Sequence, residues 1–203
     1  TRTRNAYERL IADFSEGRTN LLIGTQMVSK GLDFDKVSVV GILNADSMLN
    51  YPDFRAYEHA FMMMAQVSGR AGRKGKRGLV ILQTKNPTLP VIGQVVNNDY
   101  EGLYQGILEE RRTFHYPPFF HLINDKVCEQ AGYELSKTLR SWFGGRVLGP
   151  DKPAVARVKT MNIRKIVIKL ENGIDQQKVR EYLKFAQQQM GKDPRYGALQ
   201  IYY

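Results

Sequence analysis

Gln66-Val67-Ser68-Gly69-Arg70-Ala71-Gly72-Arg73 decides the reading of this 203-residue chain. Its two arginines stand three residues apart, close to one helical turn, so both guanidiniums can address one point. Arginine keeps its charge and forks onto phosphate oxygens, which suits such a pair to a nucleotide γ-phosphate. The two glycines keep side chains away where backbone and phosphate must approach closely. Upstream lies Gly24-Thr25-Gln26-Met27-Val28-Ser29-Lys30-Gly31-Leu32-Asp33, directly after the apolar run Leu21-Leu22-Ile23. A lone Gly-Arg-x-Gly-Arg string arises readily by chance. Both stretches in this order, each beside an expected strand, do not.

Around them the pattern alternates. Tyr7, Leu10, Ile11 and Phe14 recur at helical spacing, which predicts an amphipathic helix over 3–16 ending near Gly17. Leu21-Leu22-Ile23 is expected to be a short buried strand delivering Gly24 and Thr25 at its end. A nearly all-apolar run over 37–43 predicts a second strand covered on both faces. A helix over 54–68, with Ala60, Met63, Met64 and Val67 inward, leads to the arginine turn, and a third strand is expected over 79–83. This order argues for a parallel RecA-like α/β lobe, incomplete here because it opens on a helix. Residues 1–88 are assigned to it.

A long helix is expected over 89–113, and Tyr116-Pro117-Pro118 breaks it, so residues 89–116 read as a connection. Residues 117–203 then read as a small α+β domain of ferredoxin-like type. Its strands are expected near 119–127, 146–149, 154–159, 163–170 and 198–203, with helices over 129–143 and 175–190.

The charge follows this division. Of the net +10, residues 1–114 hold 15 Lys+Arg against 12 Asp+Glu, and residues 115–203 hold 15 against 8. A basic excess of that size attracts polyanions, nucleic acid first, although a solvated surface gives the same count. Arg157 and Lys159 alternate with apolar neighbours, as do Lys165 and Lys169, so each strand would show one basic face; with Arg164 they form a candidate DNA-facing surface. The single cysteine, Cys128, excludes an internal disulfide and a zinc cluster. No apolar run reaches membrane-spanning length and no signal sequence opens the chain, so a cytoplasmic location without membrane partners is expected.

The two opening stretches resemble motifs V and VI of superfamily 2 helicases. Tyr51-Pro52-Asp53-Phe54-Arg55-Ala56-Tyr57-Glu58, Glu109-Glu110-Arg111-Arg112 with the following Tyr116-Pro117-Pro118-Phe119, and Gly144-Gly145-Arg146-Val147-Leu148-Gly149-Pro150 resemble, more narrowly, the C-terminal part of the primosomal protein N′ family of replication-restart DNA helicases. The resemblance implies an ATP-binding set of Gln66, Gly69, Arg70, Arg73 and Asp33. Arg70 and Arg73 would be the catalytic pair, facing the γ-phosphate of an ATP held by the other lobe, with Arg73 as arginine finger. Asp33 would approach the ribose or those arginines, although a turn or N-cap carboxylate looks the same. Gly24, Thr25 and Lys30 would contact DNA, the Thr25 hydroxyl and amide holding a phosphate without reading sequence. The implied partners are forked or branched DNA, single-stranded DNA, the single-stranded-DNA-binding protein and primosome proteins. In one place the chain departs from the family. Between Ile123 and Glu129 relatives carry a strand and turn, whereas about five mostly polar residues intervene here: an edge strand lost, or residues closed over by the numbering.

Several absences bound the chemistry. There is no Gly-x-x-x-x-Gly-Lys-Ser/Thr phosphate loop; Gly69 to Gly75-Lys76 is one residue too long and ends in Arg77 rather than a hydroxyl. ATP and Mg²⁺ would therefore be held mainly outside this chain, as would the family's zinc, for which no ligands occur here. The chain alone is expected to be inactive. A non-catalytic nucleic-acid-binding module and another superfamily 2 translocase are the competing readings. Asp46 could polarise a water or simply cap a turn. His59, His115 and His121 show no metal spacing, and Met62-Met63-Met64 suits core filling.

Overall fold

The computed structural model describes residues 4–25, 34, 37–72, 78–158, 161–192 and 200–202. They fall into two compact units, 1–106 and 107–203. The expected positions of Lys30, Asp33, Arg73 and Lys159 lie outside the described residues.

The first unit opens on α1 (Arg4–Ser15). Gly17 terminates it at φ +78°, a conformation glycine reaches without strain, and Arg18 N–H bonds back to Asp13 O at 2.8 Å. Two parallel strands follow, β1 (Val39–Ile42) and β2 (Leu79–Leu82), in register from Val39↔Leu79 to Ile42↔Leu82. Between them run α2 (Asp46–Leu49) and α3 (Ala56–Ser68). Helix α3 buries Ala56, Ala60, Phe61 and Met64, and the following α4 (Pro90–Val96) buries Val91 and Ile92. Of the three consecutive methionines only Met64 is fully buried; Met62 is exposed.

Three expectations change here. The strand over 37–43 is not covered on both faces: β1 spans Val39–Ile42 with Val39 53% exposed, and Leu43 beyond it is 76% exposed. Leu21-Leu22-Ile23 is not a buried strand: the segment is irregular, with Leu21 and Ile23 73% and 78% exposed. An apolar run becomes a strand only where a neighbour completes its ladder, and β1 and β2 pair with each other instead. The helix over 89–113 is two helices, α4 and α5 (Tyr100–Thr113). Asn97-Asn98-Asp99 breaks it, because Asn98 takes φ +53° and the Asp99 carboxylate accepts from Gly102 N–H at 2.8 Å, opening α5. Asparagine tolerates the left-handed stop, and aspartate starts helices.

The second unit begins within α5. Next come β3 (Phe120–Cys128), α6 (Glu129–Phe143), a 3₁₀ turn over Gly144–Arg146, β4 (Val147–Asp151), β5 (Arg157–Val158), β6 (Met161–Glu171), α7 (Gln176–Gly191) and β7 (Gln200–Tyr202). The sheet order is β4-β6-β3-β7 with every neighbour antiparallel, and β5 hairpins onto β6. Residues 124–128 continue β3 straight into α6, so the unusual stretch after Ile123 is strand rather than a loop. Of the expected strand over 154–159, Arg157–Val158 are strand and residues 154–156 are not.

Helices α6 and α7 cover one face of this sheet. Leu135, Leu139 and Leu183 are fully buried against Ile123, Val127, Ile166, Ile168 and Leu170. Asp175 caps α7 by accepting from Gln177 N–H and Lys178 N–H at 2.9 and 3.3 Å. Strand alternation turns Phe120, Leu122, Lys165, Val167, Lys169 and Glu171 to the other face.

Candidate nucleotide and nucleic-acid interfaces

The arginine turn is a helix end gripped by both strands of the first unit. Gly69 continues the helical backbone of α3 at φ −64°, and the turn tightens as Arg70 N–H bonds to Val67 O and Ala71 N–H to Ser68 O. Gly72 then takes φ +70°, open to glycine and costly to most other residues, and its N–H bonds to Val37 O at 3.1 Å just before β1. On the far side, Gly78 leads into β2 so closely that a Cβ there would stand 2.3 Å from Gly72 N and 2.4 Å from Ala71 C. Gln66 is exposed and Arg70 half-buried at this end. The region is thus a fixed platform for residues 66–72, with Arg73 next in sequence. Gly78 escaped the sequence reading, though a glycine opening an apolar strand is a signal of close backbone approach.

Asp46 lies at the opposite ends of the same strands. Its carboxylate accepts from Thr84 Oγ1 at 2.7 Å and from Lys85 N–H at 2.9 Å, and these bonds hold its pKa below the ordinary 3.8. It clasps the segment after β1 to the segment after β2. That geometry favours the structural role over polarisation of a water. A carboxyl whose folded pKa is depressed gives its full stabilisation above the unfolded value and loses it as pH falls through the folded one. Asp46→Ala should therefore unfold the first unit more readily at neutral pH, with the difference shrinking as pH falls below 3.8. Denaturation of both proteins across that range checks this; a pH-independent difference would show that the clasp is not ionic.

Gly24 and Thr25 are described and exposed, following the irregular segment rather than a strand. In the second unit the basic candidates separate. Lys165 and Lys169 share the sheet face away from the helices. Arg164, of opposite parity, turns to the helix side, where it is paired with Glu129 at the start of α6. Asn162 Nδ2 donates to the other oxygen of Glu129 at 3.0 Å, and the two donors together lower the Glu129 pKa. Arg164 is only 14% exposed, and its Nε has no hydrogen-bond partner. It ties β6 to α6 rather than joining the lysine face. Arg157 is exposed on β5. Lys169 donates to Phe114 O at 2.6 Å and lies 3.9 Å over the Tyr116 ring, and burial pushes its pKa down.

Among the described residues no group of three or more histidine, cysteine or carboxylate side chains is arranged to hold a metal. No described helix is long and apolar enough to cross a membrane.

The class rests on a family match with which the parallel strand pair and its arginine turn agree: a RecA-like second helicase lobe. The protein family of the helicase conserved C-terminal domain matches residues 1–75. The replication restart protein PriA of Bacillus subtilis is 39% identical over 178 residues, 83% of this chain and 22% of that protein. The PriA proteins of Synechocystis and Haemophilus influenzae are 40% and 39% identical over 70% and 59% of the chain, or 17% and 16% of their own lengths. The chain belongs to the PriA family, and it spans about a fifth of the length of the curated relatives it matches.

Proposed function

We propose that this chain supplies part of the second motor lobe and a basic C-terminal domain to an ATP-dependent DNA helicase that restarts replication at stalled or abandoned forks. The observation that carries the reading is the Gln66–Gly72 turn, which lies inside the region that matches the helicase family and is braced by Val37 and, just beyond that region, by Gly78. In the assembled motor Arg70 and Arg73 would reach the γ-phosphate across the inter-lobe cleft, with Gln66, Gly69 and Asp33 around the nucleotide. ATP and Mg²⁺ would rest mainly on residues of the other lobe, and zinc on a further segment. The four-strand order, all antiparallel and interleaved with two helices, supports a ferredoxin-like reading of the second unit. Its lysine face, with Gly24, Thr25 and Lys30 in the first unit, would follow DNA phosphates. Branched DNA, the single-stranded-DNA-binding protein and primosome proteins in the cytoplasm are the partners this reading entails.

Two paired measurements test it. The purified chain alone should show no DNA-stimulated ATP hydrolysis. The Bacillus subtilis relative with its matching portion replaced by this chain should hydrolyse ATP in a DNA-dependent manner. Turnover by the chain alone, or a folded chimera without turnover, would overturn the reading. DNA affinity of the chain should fall steeply with salt, and Lys165→Ala should reduce the slope of log K against log salt by about one. An unchanged slope would remove Lys165 from the DNA face.

A further inference from the structure

Where the outer face of the second unit's sheet meets the end of α5, a groove of about 500 Å³ is lined by His115, Phe120, Arg146, Leu148, Lys169 and Glu171. That volume falls in the range of small-molecule and cofactor sites. Its chemistry is mixed. The His115 and Phe120 rings lie 4.3 Å apart at 35°, obliquely stacked on each other with His115 the exposed member, and Leu148 adds exposed apolar surface. Two cations border it. Lys169 is held by Phe114 O and the Tyr116 ring, while Arg146 Nε is 2.7 Å from Glu171, so the one carboxylate in the groove is neutralised by its neighbour. Further along the same face of β6, four residues or roughly 13 Å away, stands Lys165.

The backbone at His115 adds an independent observation. His115 terminates α5 at φ +58°, with its N–H bonded to Arg112 O and Tyr116 N–H to Arg111 O at 2.7 Å. Glycine is the usual residue at such a helix end because other side chains are strained there. A histidine in that conformation, its ring exposed against Phe120, spends local stability to present a ring. Rings beside a line of cations are what single-stranded nucleic acid needs: bases stack on the rings and phosphates follow the charges.

We propose that this groove binds one unpaired base of a single DNA strand, stacked on the exposed His115 ring of the His115–Phe120 pair, with the adjoining phosphates led past Arg146, Lys169 and Lys165. The proposal rests on the DNA-binding reading of the lysine face and adds base contact to it. The strand would be recognised by shape and stacking, so any base is accepted but a paired one is not.

The test titrates the full chain with labelled oligothymidine and with an abasic strand of equal length, by fluorescence anisotropy. A stacked base predicts that the abasic strand binds at least five-fold more weakly, since stacking on an aromatic ring contributes about 1–3 kcal/mol per base. His115→Gly and His115→Asn keep the left-handed helix end without an imidazole. Both should melt no lower than the parent, lose at least five-fold affinity for oligothymidine, and bind the abasic strand as the parent does. Equal binding of the two strands by the parent, or unchanged oligothymidine binding by the variants, overturns the base site while leaving a phosphate-only face intact. Absence of binding to either strand overturns both this proposal and the DNA-binding reading beneath it.

Discussion

Arg73→Ala, placed in the chimera described above, is expected to lower kcat for ATP by about 10³-fold while leaving nucleotide affinity within a few-fold. A guanidinium aimed at the γ-phosphate meets its greatest negative charge in the transition state, so its loss appears in turnover more than in binding. Arginine fingers contribute roughly 10³–10⁵ in rate in well-characterised phosphoryl-transfer enzymes, and the lower end is expected here because Arg70, three residues earlier in sequence, would keep part of the charge. Arg73→Lys should rescue poorly: an ammonium keeps the charge and loses the planar fork. DNA affinity without nucleotide should be nearly unchanged, whereas Thr25→Ala should weaken the stimulation by DNA first. Steady-state turnover with and without forked DNA, alongside nucleotide and DNA titrations, separates these cases. Wild-type kcat in Arg73→Ala would remove this arginine from the nucleotide cleft.

Gly78→Ala is expected to destabilise the first unit by about 3 kcal/mol, the upper part of the range for overpacking a filled site. The new methyl would occupy space held by Gly72 N and Ala71 C, both backbone atoms, so no side chain can swing aside to admit it. Either β2 shifts or the arginine turn leaves its place beside Val37. The two units allow the effect to be localised. The chain's one tryptophan, Trp142, packs on Tyr182 and Phe185 in the second unit. Tryptophan fluorescence should therefore report an unchanged denaturant midpoint, while far-UV circular dichroism gains an early transition. Coincident transitions at the parent midpoint would show that the close approach at Gly78 carries no energetic weight. In the chimera the same substitution should lower ATP turnover without touching nucleotide or DNA directly.

The helices α3, α6 and α7 were legible from apolar spacing, since each has a broad buried stripe and a boundary residue that says where to stop or start. Gly69 and Gly72 close the first, Gly144 ends the second and Asp175 opens the third. Strand parity on β6 was equally readable: Ile166, Ile168 and Leu170 point inward, Lys165 and Lys169 outward. The same parity placed Arg164 with the inward set, and only its grouping with the lysines by charge ran against that rule. Its pairing with Glu129, 35 residues away, could not be read from either segment alone.

By itself, then, the sequence determined the chemistry available to this protein: two clustered arginines and a glycine-rich turn suited to phosphate, a basic second half, and no phosphate loop. It also determined most local structure, because periodicity, glycine and aspartate act within a few residues of where they stand. Tertiary structure decided everything that depends on a distant neighbour. Leu21-Leu22-Ile23 has the composition of a strand but no described strand completes its ladder. Asp46 became a clasp because Thr84 and Lys85 emerge beside it from the paired strand. His115 meets Phe120 and Lys169 because a helix end, two strands and their register bring them to one groove. A backbone hydrogen bond, a buried ion pair or a shared groove is a property of two segments, and their meeting is set by how the whole chain packs.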